Sequence, residues 1–172
     1  MMFTIRAEQP GDQGAITEVN LLAFQEEKPA KLVEAIRASE FFIPELSLVA
    51  VADEVIGHIL FSIVSIETNQ GSVPTLALAP MAIKPGYQNQ GIGSALVIEG
   101  LRRCKLLGYQ HVVVLGHPNF YPKFGFVPSR LKGIEPPLPV PDEVFMVIEL
   151  QENSWAANQG RVKYPPSFDV VS

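Results

Sequence analysis

The sequence predicts a mixed α/β fold built on a largely antiparallel sheet. Three observations carry that prediction. Apolar residues alternate with a period of two from Leu46 to Ser62, which marks paired strands. They recur at helical spacing over 12–23, 30–38 and 91–107. A strand–helix–strand passage between 75 and 115 demands one parallel crossover.

The elements follow in order. Phe3 to Ala7 alternates like a short strand, closed by Pro10-Gly11-Asp12. Asp12 is placed as an N-cap for a helix that turns Ile16, Val19, Leu22 and Ala23 to one side. A second helix is expected over Ala30 to Ala38, with Leu32, Val33 and Ile36 inward. Leu46, Leu48 and Ala50, then Val55, His58, Leu60 and Ser62, form a hairpin about an Asp53-Glu54 turn. Thr75 to Ile83 is a further strand, and its Pro80 marks a bulge because proline has no N–H to donate. A helix from Gly91 to Leu107 puts Leu96, Val97, Gly100, Leu101, Cys104 and Leu107 in one charge-free arc, with Gly108 as a left-handed stop. Valine-rich His111 to Leu115 is a buried strand, Phe120 to Phe124 a short helical turn, and Val144 to Leu150 a last strand. The Pro-rich stretch 135–142 is a rigid connection. Residues 1–150 are expected to form the domain, with 151–172 an extension packed on it.

Composition removes several function classes. Hydrophobic residues make up 47% of the 172-residue chain and charged residues 18%; disorder needs the opposite balance. The net charge is −5 and the longest basic run is Arg102-Arg103, a poor footprint for nucleic acid. One cysteine, Cys104, excludes an internal disulfide framework. Three scattered histidines, His58, His111 and His117, offer no structural zinc cage, so no metal is expected. The best apolar run, Val55 to Ile66, falls short of a membrane span, and the N-terminus lacks the build of a signal peptide. A soluble protein of a reducing cytoplasm is the expectation.

The chemistry concentrates between strand 75–83 and the helix after it, in Lys84-Pro85-Gly86-Tyr87-Gln88-Asn89-Gln90-Gly91-Ile92-Gly93-Ser94. Glycines at a helix start leave backbone N–H groups without intrahelical partners and uncovered by any Cβ. Added to the helix dipole, they make a phosphate-sized anion site. A flexible turn with helix-starting glycines would look the same. A P-loop is excluded, because Gly93 is followed by Ser94-Ala95 with no lysine. A dinucleotide fingerprint is excluded too, since position 96 is leucine and position 111 histidine.

Gln88-x-x-Gly91-x-Gly93, between an apolar strand and an amphipathic helix, resembles the pyrophosphate loop of the GCN5-related N-acetyltransferase (GNAT) family. Phe120-Tyr121-Pro122-Lys123-Phe124-Gly125-Phe126 resembles that family's Tyr-x-x-x-Gly-Phe segment, in the family's order and spacing. With the hairpin, the resemblance covers roughly residues 3 to 150. Val114-Leu115-Gly116-x-Pro118 and Tyr164-Pro165-Pro166 point further to a subgroup of small bacterial predicted acetyltransferases.

The resemblance implies acetyl-CoA as donor and a GNAT-like sheet whose parallel crossover lies at the cofactor cleft. Pantetheine would run along Met81, Ala82 and Ile83, and the pyrophosphate would sit on the loop Gln88, Asn89, Gln90, Gly91, Ile92, Gly93 and Ser94, with Asn119 a further cofactor contact. Tyr121 would protonate the leaving thiolate; a phenol with pKa near 10 is uncharged at pH 7 and matched to that task. Strand 75–83 carries no Asp or Glu to act as base, which leaves His117 or a water-mediated route. Cys104 lies on the helix's buried face, so direct transfer to a primary amine reads better than an acyl-cysteine route. The acceptor would be a small-molecule or peptide amine, shaped by Leu22 to Pro29, where Phe24, Glu26 and Glu27 could receive a cation. A homodimer is compatible with the family. The competing reading is a non-catalytic coenzyme A sensor or scaffold of the same fold.

Overall fold

A computed structural model describes residues 2–171. Strand β1 (Thr4–Ala7) leads into helices α1 (Gln13–Phe24) and α2 (Lys28–Arg37). Strands β2 (Ser47–Val51), β3 (Val55–Thr68) and β4 (Gly71–Ile83) follow as two hairpins. Helix α3 (Ile92–Leu106) crosses over to β5 (His111–Leu115). The chain then gives β6 (Val127–Pro128), β7 (Ile134–Glu135), β8 (Phe145–Glu149) and β9 (Gly160–Lys163). Among the described residues these form one nine-stranded sheet in the order β1-β2-β3-β4-β5-β8-β6, with β9 pairing both β3 and β7. Pairing is antiparallel except for β4 with β5 and the two-residue contact of β7 with β9. The expected mixed, largely antiparallel fold is the one found.

Alternation along the strands sends side chains to two cores. On one face Val49, Leu60 and Val113 pack with Ile16, Val19, Leu32 and Ile36 of α1 and α2. On the other, Leu48, Ile59 and Val112 pack with Leu96, Val97 and Cys104 of α3. Helix α3 approaches so closely at Gly100 that an added Cβ would stand 2.3 Å from the Phe61 ring. Of the expected arc, Leu96, Val97, Gly100 and Cys104 are buried and Leu101 is half-buried, while Leu107 follows the last helical residue and is exposed. Gly108 takes the left-handed conformation (φ +92°) that the stop requires.

Asp12 corrects the expectation. It stands at the start of α1 but caps no helical N–H; its carboxylate pairs with Arg6 at 2.6 Å and accepts the Gln9 N–H at 2.7 Å. The second hairpin is also longer than its apolar part suggested: β3 runs on to Thr68 and β4 begins at Gly71.

A buried polar chain ties the helices to the sheet. Asn20 Nδ2 donates to the Ile16 carbonyl and lies 3.3 Å from His58 Nδ1. With that nitrogen accepting, His58 Nε2–H donates to Ser47 Oγ at 3.0 Å, and Ser47 donates to Glu8. Glu8 pairs with Arg37 of α2 at 2.8 Å. Burial, and secondarily Arg37, hold His58 neutral by pushing its pKa down to about 3. A second histidine, His111, bonds Thr75 and stacks on the indole of Trp155 with ring centroids 4.1 Å apart. Trp155 is buried, and β9 pairs Ser65, Ile66 and Glu67 of β3, so Trp155 joins the core and residues 160–163 join the sheet.

Candidate active site

The site begins where strand pairing ends. β4 and β5 are in register only at Leu76 with Val112 and Ala77 with Val113. Further along, Met81 lies opposite Ile59 but Leu78 opposite Phe61, so Ala79 and Pro80 are accommodated against the single residue Leu60. That is the bulge expected at Pro80, and such a bulge bends its strand. Met81, Ala82 and Ile83 stay backed by β3 while their other side borders a groove.

The loop after β4 is folded by its own side chains. Lys84 N–H donates to the Ile56 carbonyl and Tyr87 N–H to the Lys84 carbonyl. Gln88 Nε2 donates to the Ile83 carbonyl, and Gln90 Nε2 to the Gly86 carbonyl, both at 3.1 Å. The motif glutamine thus ties the loop across the end of β4. Asn89 (φ +61°) and Gly91 (φ +84°) are left-handed, and Gly91 is the N-cap of α3. Ala95 N–H reaches the Gly91 carbonyl, so the amides of Ile92, Gly93 and Ser94 precede the first helical bond. No acidic residue occupies the first turn of α3. A Cβ added at Gly91 would meet nothing within 4 Å, and one at Gly93 would lie 3.4 Å from Met81 Cε and 3.7 Å from Phe120 Cζ. Backbone donors therefore line a cradle that side chains would fill, which fits a phosphate ester.

The facing wall is the turn after β5. Phe120 meets Tyr121 edge-on at 5.0 Å and Phe124 at 5.1 Å, and Lys123 Nζ stands 4.3 Å over the Phe120 ring. Tyr121 is 8% exposed and packs on Gly116, where a Cβ would come within 2.3 Å of the ring. Burial pushes the phenol up to about 12, so it stays protonated through the neutral range.

The cleft has two halves that share Phe24, Met81 and Phe120. One, of about 580 Å³, contains the loop glycines, Ser94 and Lys123. The other, of about 390 Å³, is bordered by Gly116, His117 and Tyr121 together with apolar residues of α2, β4 and β5. Met81, Ala82, Ile83, Gln88, Asn89, Gly91, Gly93 and Ser94 are thus brought together, with Tyr121 next door. Gln90 and Asn119 are exposed and line neither half, and the Ile92 side chain is buried in the core. His117 lines the second half, its Nδ1 accepting the Asn119 N–H at 3.3 Å. Glu26 and Glu27 line neither half, and Glu27 pairs with Lys31. Cys104 is buried against the sheet, its thiol pushed up to about 12 by burial, and stands in neither half.

Phe24, named from the sequence for the acceptor, lines both halves, whereas Phe120 and Lys123 line the cleft without having been given a role from the sequence. Lys123 was findable, as a cation inside the second of the two motifs that carry the family resemblance. Among the described residues no cluster of three His, Cys, Asp or Glu could hold a metal ion, and no helix is long and apolar enough to cross a membrane.

Residues 14–126 match the model of the Acetyltransferase (GNAT) family, well over half of the chain. The chain belongs to the GNAT family. It is 38% identical over 143 residues to the uncharacterized N-acetyltransferase YjhQ of Escherichia coli, across 82% of this chain and 79% of that protein. It is 33% identical over 167 residues to the uncharacterized N-acetyltransferase YhbS of Escherichia coli, across 96% and 98%. The crystal structure of YhbS in complex with CoA superposes with a TM-score of 0.90 at 31% identity, covering 97% of this chain and 92% of that one. A GNAT family acetyltransferase from Brucella melitensis in complex with acetyl-CoA gives 0.80 at 30% identity, covering 98% and 99%. This GNAT chain thus shares its fold along nearly its whole length with proteins that hold coenzyme A.

Proposed function

We propose that this protein transfers an acetyl group from acetyl-CoA to a primary amine, directly and without an acyl-enzyme. The observation that carries the proposal is one continuous cleft with an anion cradle in one half and a buried, protonated phenol in the other. Acetyl-CoA supplies the activated acetyl group and a thiolate leaving group. The amides of Ile92, Gly93 and Ser94 would hold its diphosphate, as the dipole of α3 favours. Lys123 adds the cation on the opposite wall. The backbone of Met81 to Ile83 would bond pantetheine as an added strand.

Tyr121, whose ring meets Phe120 of the shared wall, carries a protonated phenol that would release its proton to sulfur as the C–S bond breaks. Its raised pKa makes it a weaker acid and keeps it loaded to high pH. Among the described residues neither half of the cleft is lined by a carboxylate, so the amine proton would pass to His117 or to water. We assign the acetyltransferase unit to residues 1–150, with 151–172 as its extension, in the cytoplasm.

Coenzyme A titration with a thermal readout, followed by a free-thiol assay against an amine library, tests the reading. At 100 times Kd, coenzyme A should add about 2.7 kcal/mol of stability, and adenosine far less. Equal responses to both would remove the cofactor assignment. Coenzyme A binding with no turnover on any amine would leave the sensor reading.

A further inference from the structure

We propose that the acceptor is a monoamine with an apolar body and not a polycation; this rests on the acetyltransferase reading above. The second half of the cleft is walled by Phe24, Pro29, Leu32, Leu78, Pro80 and Leu115. Among the described residues its titratable members are His117 and Tyr121 alone, with no carboxylate. Polyamines and aminoglycosides carry several ammonium groups at neutral pH, and each one taken from water needs a carboxylate or a comparable partner. The acidic side chains of the α1–α2 connection do not supply one, since Glu26 and Glu27 stand outside both halves. At about 390 Å³ the half is within the range of small-molecule sites and has room for an aromatic or branched aliphatic group.

The same apolar wall bears on the missing base. An amine placed against it is desolvated, and desolvation disfavours the ammonium form. A monoamine can therefore shed its proton to water or His117 on the way in, with no carboxylate to take it. A polyamine would have to shed several, or bury charges unpaired.

Calorimetry with the full chain saturated in coenzyme A compares 2-phenylethylamine with spermidine, and the thiol assay with acetyl-CoA compares them in turnover. The expected result is a Kd at least tenfold lower, and a kcat/KM at least tenfold higher, for 2-phenylethylamine. Leu115→Asp, at a wall position 43% exposed and so tolerant of change, should narrow that preference tenfold or invert it. A preference for spermidine overturns the proposal, as does coenzyme A binding with neither amine bound. So does a tenfold preference for hexanoyl-CoA over acetyl-CoA, which would give the apolar half to the donor's acyl chain. Failure of coenzyme A itself to bind is a separate result and strikes the acetyltransferase reading.

Discussion

The two sides of β4 differ as much as any two regions of the molecule. Toward β3 it is paired from Gly71 to Ile83, interrupted only at the bulge. Toward β5 it is paired at Leu76 and Ala77 and then parts company. The first side builds stability and the second side builds a site. On the reading proposed above, backbone groups that a neighbouring strand would have satisfied are left for a ligand. The chemistry of this fold thus comes from withholding a strand contact at one place.

The strongest way to break the comparison is Tyr121→Phe, on the open side. Deleting the hydroxyl should lower kcat by about 10- to 1000-fold while coenzyme A affinity changes little, because the ring still packs on Gly116. Steady-state kinetics with the true acceptor decides it; wild-type kcat would remove Tyr121 from the chemistry. Since the phenol sits at about 12, the wild-type rate should also show no alkaline fall from this group up to pH 10.

Acid should attack the two buried histidines. His58 is held near pKa 3 and His111 near 4 in the fold, against 6.5 unfolded. Below pH 6.5 the unfolded chain takes up protons that the native chain refuses, so stability rises with pH in this window and is lost as pH falls. Each histidine contributes a slope of about 1.4 kcal/mol per pH unit at most, over 6.5 to about 3 for His58 and 6.5 to about 4 for His111. Urea midpoints between pH 7 and 4.5 would show it, and His58→Gln should remove its share of the slope.

Two glycines sharpen the contrast at similar cost. Gly100→Ala on the closed side and Gly116→Ala on the open side each drive a Cβ to 2.3 Å from a ring, for a destabilisation of about 1–3 kcal/mol. The first should lower Tm and spare kcat in the surviving folded protein. The second should lower kcat as well, because the ring it displaces is Tyr121. Equal kcat in both variants would show that the Tyr121 position is not critical. The smallest effect is expected from Gly91→Val: a coenzyme A Kd raised about tenfold, or about 1.4 kcal/mol, with the apo fold retained despite a strained φ.

Much of this was legible from local sequence. β5 is five valine-rich residues bounded by polar or glycine neighbours, and it appears where the sequence put it. The α3 arc and its Gly108 stop were likewise readable, since both are set within the helix. The hairpin beyond Ile66 was not: Glu67, Thr68, Asn69, Gln70, Gly71 and Ser72 have no apolar alternation, and pairing with β9 from the far end of the chain supports that arm. The site divides the same way. A loop shaped by its own glycines and glutamines can be read from eight consecutive residues. Phe24, Leu32 and Leu78 become neighbours only through tertiary packing, and no spacing rule brings them together.

The position of β9 has a consequence for synthesis. Residues 65–67 of β3 must wait for residues 161–163 to complete their pairing. While the chain is being made, from the N-terminal end, that edge is open for nearly a hundred residues, and an open edge invites other strands. The polar residues that concealed the arm from the sequence reading also make this waiting edge a poor template for aggregation. Closure, when it comes, is tight: at Gly160 an added Cβ would be driven into the carbonyl of Glu67, so only glycine lets the last strand dock.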